Sequence, residues 1–402
     1  MNKPRVLILT SSYPKYKGDV NGNFIYELAT RLKSDFDIYV LAPAVKESLN
    51  YELCEDIKIY RHRQFIIRDI ELAYGIGIYE NLKKKKIKYF VLPWYFFFQI
   101  KELYKIVKEE NINIVHAHWI LPNGLISVFC KKIFRCNYKI VVTIHGSDIW
   151  GFNNKLGNIL KKYVLNNIDS LTVVSNAIKD KVDELKYYKD IYVYSMGVDT
   201  DQFSPLKKSN LLKEKLNIKG PFLLYVGILT ERKGLRCLIS AMKEVVKEEY
   251  KEAKLVLIGD GEMKFEIHEM TKKLGIENNV ILLGQIPHEE LPSYFATADL
   301  FILPSFSEGW PVVVMEALSC GTRTIVTDLP VFEKHKQEER LFWIVPKGNF
   351  ELLAKEIKKA LFEPITQQEK DYLRSYAIEN FDWRNISIKY KKLILNVLEN
   401  KQ

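Results

Sequence analysis

The 402-residue chain has few cysteines, and its five (Cys54, Cys130, Cys136, Cys237 and Cys320) are scattered. An odd, dispersed set argues against a disulfide framework and offers no paired metal-ligand spacing, so a reducing cytoplasm is the expected setting. No apolar run reaches the roughly 20 residues that a spanning helix needs. The opening Met1-Asn2-Lys3-Pro4-Arg5 leads only into Val6–Leu9. That run is too short for a signal peptide and predicts a first buried strand. No G-x-G-x-x-G fingerprint is present: Gly259-Asp260-Gly261-Glu262 supplies a tight turn and no independent sign of a dinucleotide. No recognised nucleic-acid motif accompanies the net charge of +10.

What is there is the composition of an ordinary globular protein, 47% hydrophobic and 27% charged. The length suits two domains better than one core. The charge is uneven. Residues 1–200 hold 30 Lys/Arg against 21 Asp/Glu, and residues 201–402 hold 30 against 29. A basic first half points to an anionic partner: a membrane surface, an acidic acceptor or nucleic acid.

Short Val/Ile/Leu runs alternate with longer amphipathic segments. Val6–Leu9, Ile112–Val115, Ile140–Ile144 and Leu171–Val174 read as buried parallel strands, separated by helices such as Phe24–Leu32 and Leu156–Leu165. The second half repeats the pattern with Phe222–Val226, Leu255–Ile258, Val280–Leu283, Leu300–Leu303 and Thr324–Val326, and a helix over Leu235–Val246. The alternation predicts an α/β protein of two doubly wound, Rossmann-like domains facing a central cleft, with ligand at the carboxyl ends of the strands. The expected bounds are 1–200 and 201–383, with a last helix near 384–400 packing back on the first domain. The join falls in Ser195–Pro205, where Gly197, Asp199, Asp201 and Pro205 lie close together. Asp199 and Asp201 form a D-x-D pair without a neighbouring carboxylate cluster to complete a cation shell.

The segment Ser305–Leu318 carries the most chemistry. Glu316 sits among Val312, Val313, Val314, Met315, Ala317 and Leu318, in an apolar helix where a carboxylate is costly unless paired. Pro311 suits the first helical position. Glu308 then lies in the loop before the helix, and both acids lie near amides that attract anions. Such a pair suits a sugar nucleotide; a core Glu paired for structure is the alternative. Arg232 and Lys233 follow the strand that ends near Val226 and Gly227, and together they can neutralise a diphosphate. Two solvated surface cations are the plainer reading of that pair. Gly284-Gln285-Ile286-Pro287 follows another strand and can offer backbone groups to a base.

In the first half, His145-Gly146 ends a strand, where an imidazole can bond a sugar hydroxyl or move a proton. Asp148 either orients that loop or contacts the acceptor. His116 and His118, two apart on a strand, share a face; no third metal ligand is evident, which leaves packing or acceptor contact. Asn21-Gly22-Asn23 precedes a helix and can bring amides to a phosphate.

Taken together, these residues resemble the retaining GT-B glycosyltransferases of family 4, the group 1 glycosyl transferases. The resemblance spans nearly the whole chain and rests chiefly on the E-x7-E element, Glu308 to Glu316, and on Arg232-Lys233. His145-Gly146, Ser175-Asn176-Ala177 and Gly197-Val198-Asp199 support it. The resemblance implies that Glu316 holds the ribose hydroxyls. It also implies that Glu308, with amides from Gly309 to Val312, binds the donor sugar. Arg232 and Lys233 would bind the diphosphate, and Gly227 joins this donor-binding set. His145 would lie beside the donor sugar and Gly22 near the phosphate and acceptor. It further implies same-face displacement, in which the leaving phosphate takes the acceptor proton, with no protein nucleophile, cofactor or metal. The sequence departs from the pattern at Asn21, at Leu329-Pro330-Val331-Phe332-Glu333 where a Gly-rich turn is usual, and at Arg323 where Pro is common. The first puts the donor-phosphate contact of that loop in question, and the other two the nearby cleft wall. The expected function is hexosyl transfer from a nucleotide sugar to a glycan or lipid-linked acceptor for the cell surface. A sugar-nucleotide epimerase, or a sugar-nucleotide-binding subunit without activity, is the alternative.

Lys83, Lys84, Lys85, Lys86 and Lys88 run into Tyr89, Phe90, Trp94, Tyr95, Phe96, Phe97 and Phe98. Lysines beside interfacial aromatics suit docking on the inner face of an anionic membrane. The competing expectation is a core helix over Tyr95–Val107 that buries most of the aromatics behind a solvated basic start.

Overall fold

The computed structural model describes residues 3–399 apart from 17, 18, 20, 47, 67–70, 74–76, 188, 248 and 336–340, and leaves out the side chains of Glu80, Lys84 and Lys334. Short apolar runs become strands because both faces of each sheet are covered, so nearly every position of a central strand must be apolar. Val6, Leu7, Ile8 and Leu9 are all fully buried. The chain forms two units, Met1–Met196 with Arg384–Gln402, and Gly197–Trp383.

The first unit holds β1 (Arg5–Leu9), β2 (Asp37–Pro43), β3 (Tyr51–Cys54), β4 (Ile57–His62), β5 (Ile114–His118), β6 (Lys139–Ile144), β7 (Ser170–Val173) and β8 (Ile191–Val193). Their order is β3-β4-β2-β1-β5-β6-β7-β8. Every pairing is parallel except β3 with β4. The run expected at Ile112–Val115 is shifted: the strand is Ile114–His118, which draws both histidines into the sheet. β3 escapes sequence detection because it is a half-exposed edge, with Tyr51 and Leu53 facing solvent.

The second unit holds β9 (Phe222–Val226), β10 (Lys254–Ile258), β11 (Val280–Gly284), β12 (Leu300–Leu303), β13 (Thr324–Thr327) and β14 (Trp343–Val345), in the order β11-β10-β9-β12-β13-β14 and all parallel. Chain order reverses between β1 and β5 in one sheet and between β9 and β12 in the other. The carboxyl ends of strands at such a reversal leave a crevice that ligands use. The His118 and His145 loops follow β5 and β6. The Arg232 and Glu308 loops follow β9 and β12.

The last helix, Trp383–Glu399, crosses from one unit to the other at Trp383–Arg384. Within the first unit its fully buried Tyr390 lies 5.7 Å from the His116 ring and donates to the Tyr194 carbonyl. Among the described residues no helix is long and apolar enough to cross a membrane.

Candidate active site

In the second unit, β9 runs into a tight turn, Glu231–Lys233, which ends on Gly234 in the left-handed region at φ 70°. A Cβ on Gly234 would lie 1.9 Å from the Pro304 carbonyl oxygen, so only glycine lets this turn approach the loop after β12. That approach joins the two loops. The Phe306 amide donates to the Arg232 carbonyl at 2.8 Å, and the Arg232 guanidinium donates to the Ser307 carbonyl at 3.2 Å. Lys233 Nζ donates to Glu308 Oε1 at 2.6 Å, with both side chains about nine-tenths buried. Burial would raise the Glu308 carboxyl, but Lys233 and then Arg232 outweigh it and hold the group below the usual carboxylate range. Glu308 is therefore a carboxylate beside two cations, one of them exposed.

The helix Val312–Ser319 starts one residue later than expected. Pro311 is its cap, at φ −77° and ψ 116°, and not its first residue. An extended Pro ends the loop and frees the Val312 and Val313 amides at the helix mouth. Glu316 is buried in this helix, as the apolar flanks imply. Its Oε1 lies 2.7 Å from His288 Nε2, on the turn after β11. No sequence pattern links this partner to Glu316, because β11 and β12 lie on different sides of β9. Gly227, at φ 154°, follows β9; its position is tight, since a Cβ there would lie 2.9 Å from the Tyr225 hydroxyl.

In the first unit, His145 follows β6 and is half-buried, its ring 5.2 Å from Phe24 and 4.8 Å from Trp119. Its Nε2 lies 2.9 Å from Nδ1 of the fully buried His118. His116 completes a column of rings, with centroids 4.3 Å from His118. Burial pushes His116 and His145 down to about 3 and His118 well below the ordinary value. All three are neutral at pH 7. A third imidazole does join the pair seen in the sequence, meeting His118 edge to edge through a ring-nitrogen contact; no group of three His, Cys, Asp or Glu suited to hold a metal occurs among the described residues.

Asp148 takes the loop-orienting role. Its carboxylate accepts from the amides of Ile120 at 2.7 Å, Gly146 at 3.0 Å and His145 at 3.3 Å, and burial raises it to about 6. Lys161, absent from the sequence expectations, backs the same loop: its buried ammonium donates to the carbonyls of Ile149 and Gly151, both at 2.8 Å. On the sequence it is one more lysine on an amphipathic helix. Asn123 and Gln99 were also missed. Both are fully buried, and Asn123 bridges Gln99, Ser11 and the His118 carbonyl. Gly22 caps the helix Asn23–Leu32 at φ 73°, and its Cα lies against the Ser12–Tyr13 backbone, where a Cβ would come within 2.5 Å of an oxygen.

Two expectations need correction. Arg323 does not line a wall near the carboxyl ends. It precedes β13, at the opposite edge of the sheet, where its guanidinium binds Glu369 at 2.8 and 2.9 Å and the Ala360 carbonyl at 2.7 Å. A cavity of about 390 Å³ at that same edge is lined by Pro205, Lys208, Arg323 and Lys370 among others. The aromatics after the lysine run are not buried as a packed helix would require. The helix is Leu92–Glu109, and Tyr95 alone of its aromatics near the start is fully buried. Ile87, Tyr89, Phe90, Trp94 and Phe97 are exposed, as are Lys83, Lys85 and Lys86. Lys88 turns inward to Asn81 and the Glu71 carbonyl, and the Lys84 side chain lies outside the described residues. Asp199, half of the D-x-D pair, accepts from the amides of Asp201 and Gln202 as a turn cap.

Two doubly wound parallel sheets of this kind make a GT-B glycosyltransferase fold. The structure matches sucrose-phosphate synthase from Thermosynechococcus elongatus with a TM-score of 0.81, covering 99% of this chain and all of that one at 17% identity. The chain belongs to the family 4, or group 1, glycosyltransferases: the "Glycosyltransferase Family 4" model matches residues 22–202 and the "Glycosyl transferases group 1" model matches 208–380. Relatives include the N-acetyl-alpha-D-glucosaminyl L-malate synthase of Bacillus anthracis, 25% identical over 77% of this chain and 82% of that protein. Another is a putative teichuronic acid biosynthesis glycosyltransferase of Bacillus subtilis, 26% identical over 92% and 90%.

Proposed function

We propose that this glycosyltransferase is a retaining enzyme moving a hexosyl unit from a nucleoside-diphosphate sugar to a glycan or lipid-linked acceptor of the cell surface. The observation that carries this reading is the joined pair of loops at the β9/β12 switch point, with Lys233, Arg232 and Glu308 in one cluster. Lys233 and Arg232 take the diphosphate, and Glu308 with amides from Gly309 to Val312 takes the sugar hydroxyls. Glu316, with one oxygen on His288, offers the other to the ribose hydroxyls. His145 and the Gly22 loop serve the donor sugar and phosphate. The bond from the anomeric carbon to the leaving phosphate oxygen breaks while the acceptor oxygen attacks the same face. The acceptor proton passes to that phosphate oxygen. The cations stabilise the departing charge, the largest contribution to rate in this scheme. No metal is required.

The Bacillus subtilis relative is named for teichuronic acid biosynthesis, which supports a cell-surface product. Purified protein with UDP-, GDP- and ADP-sugars, screened first by thermal shift, tests the reading. Sugar release that depends on an acceptor, retains the anomeric configuration and survives chelation supports it. Epimerisation of donor without acceptor makes the chain an epimerase, and donor binding without turnover makes it a binding subunit.

The exposed Ile87, Tyr89, Phe90, Trp94 and Phe97 beside Lys83, Lys85 and Lys86 support a peripheral position on an anionic inner membrane face. Flotation with anionic vesicles tests it: changing Lys83–Lys86 to Ser lowers recovery if the surface docks, and equal recovery removes the membrane from the account.

A further inference from the structure

The three adjoining histidines of the first unit do more than fill space. A neutral imidazole has one N–H and one lone pair, so the 2.9 Å contact between His118 Nδ1 and His145 Nε2 holds a single proton. Two arrangements satisfy it. If His145 donates from Nε2, His118 accepts at Nδ1 and carries its own proton on Nε2. That nitrogen is buried and has no hydrogen-bond partner among the described residues. An N–H left there forfeits its hydration with nothing in return. If His118 donates from Nδ1, its Nε2 keeps only a lone pair, and His145 carries its proton on Nδ1. The second arrangement leaves no buried N–H unmade.

The neighbouring column follows the same logic. His116 also has an unpartnered buried nitrogen, Nδ1, while its Nε2 lies 2.7 Å from Thr143 Oγ1. Thr143 Oγ1 lies 2.6 Å from Thr172 Oγ1, which donates to the Val142 carbonyl. With the proton on His116 Nε2, every donor in that chain is used and the bare site is again a lone pair. Both imidazoles of β5 therefore present donors to the strand beside them.

We propose that His118 is a positioning residue that fixes His145 as its Nδ1–H tautomer, so that the loop after β6 presents a permanent uncharged hydrogen-bond donor to an oxygen of the substrate. Free histidine favours the Nε2–H form, so this tautomer has to be imposed. Asp148 holds the backbone of the same loop through three amides, and Phe24 and Trp119 fix the ring plane. Burial keeps the ring from charging, so the donor persists across neutral pH. The contact to substrate rests on the function proposed above; the tautomer does not.

Side-chain nitrogen NMR of the whole chain, which has seven histidines, reads the tautomer without any ligand. The wild type is expected to show His145 protonated at Nδ1. His118→Asn places an amide donor near the lost Nδ1 and should keep that state. His118→Leu should shift His145 toward Nε2–H, and should lower turnover about tenfold with little change in donor KM, while His118→Asn restores most of it. His145 found as Nε2–H in the wild type, or one tautomer in all three proteins, overturns the proposal. So does wild-type turnover in a His118→Leu protein whose tautomer has moved. If His118→Leu does not fold, the wild-type and His118→Asn spectra still decide. A wrong sugar donor would leave the spectra as expected and count against the proposed function alone.

Discussion

At the switch point of the first unit the candidate side chains are imidazoles held neutral by burial; at that of the second they are two cations and a carboxylate that the cations hold below its ordinary range. The backbone plan is the same, a loop at each carboxyl edge beside a reversal of strand order. The fold therefore supplies only the place. Under the proposed function one unit would use it for ionic recognition of a diphosphate. The other would offer hydrogen bonds to the sugar from uncharged imidazoles.

Acid should break the comparison most. His62 and His116 are depressed by burial to about 4 and about 3, against an ordinary value near 6.5. Below about pH 6.5 the unfolded chain binds protons that the folded unit refuses, so stability is lost as pH falls through this window. By pH 5 the loss is roughly 2 kcal/mol for each of these two groups. Hydrogen exchange at pH 7 and pH 5, corrected for intrinsic rates, should show β4 and β5 opening more easily while β9 and β12 change little.

Removing the ammonium of Lys233 probes the other side. Lys233→Ala leaves Glu308 with only the exposed Arg232 for compensation, and should reduce turnover by about 100-fold. Steady-state kinetics check this, and a change confined to KM would remove Lys233 from the chemical step. Glu316→Ala should weaken donor binding by about 1.5–3 kcal/mol, the scale of hydrogen bonds to a charged group, as read by titration calorimetry. The smallest effect belongs to Arg236, which pairs with Glu266 and Glu231 on the surface. Arg236→Ala should cost under about 1 kcal/mol in urea unfolding, because solvent screens exposed pairs.

The strands were legible because parallel sheets buried on both faces demand unbroken apolar runs, as in Phe222–Val226. The two acids and the Arg-Lys pair were legible as ionisable groups in places where the pattern calls for apolar or turn residues. What joins them was not: Lys233 and Glu308 are 75 residues apart and meet because β9 and β12 are neighbours. His288 against Glu316 and His118 against His145 depend in the same way on strand order and loop path. Arg323 was misplaced because a residue beside a strand belongs to one end of a sheet or the other according to chain direction, and here it lies at the amino end. The lysine-aromatic segment was open to two readings because helical period cannot say which rings a helix turns outward when aromatics occupy every face.

A donor-bound structure is the decisive measurement. The diphosphate is expected within hydrogen-bond distance of Lys233 Nζ and the Arg232 guanidinium, with the ribose hydroxyls on Glu316. A nucleotide seated instead in the cavity of Pro205, Lys208 and Lys370 at the amino edge of the sheet, with Lys233 and Glu316 untouched, would contradict it.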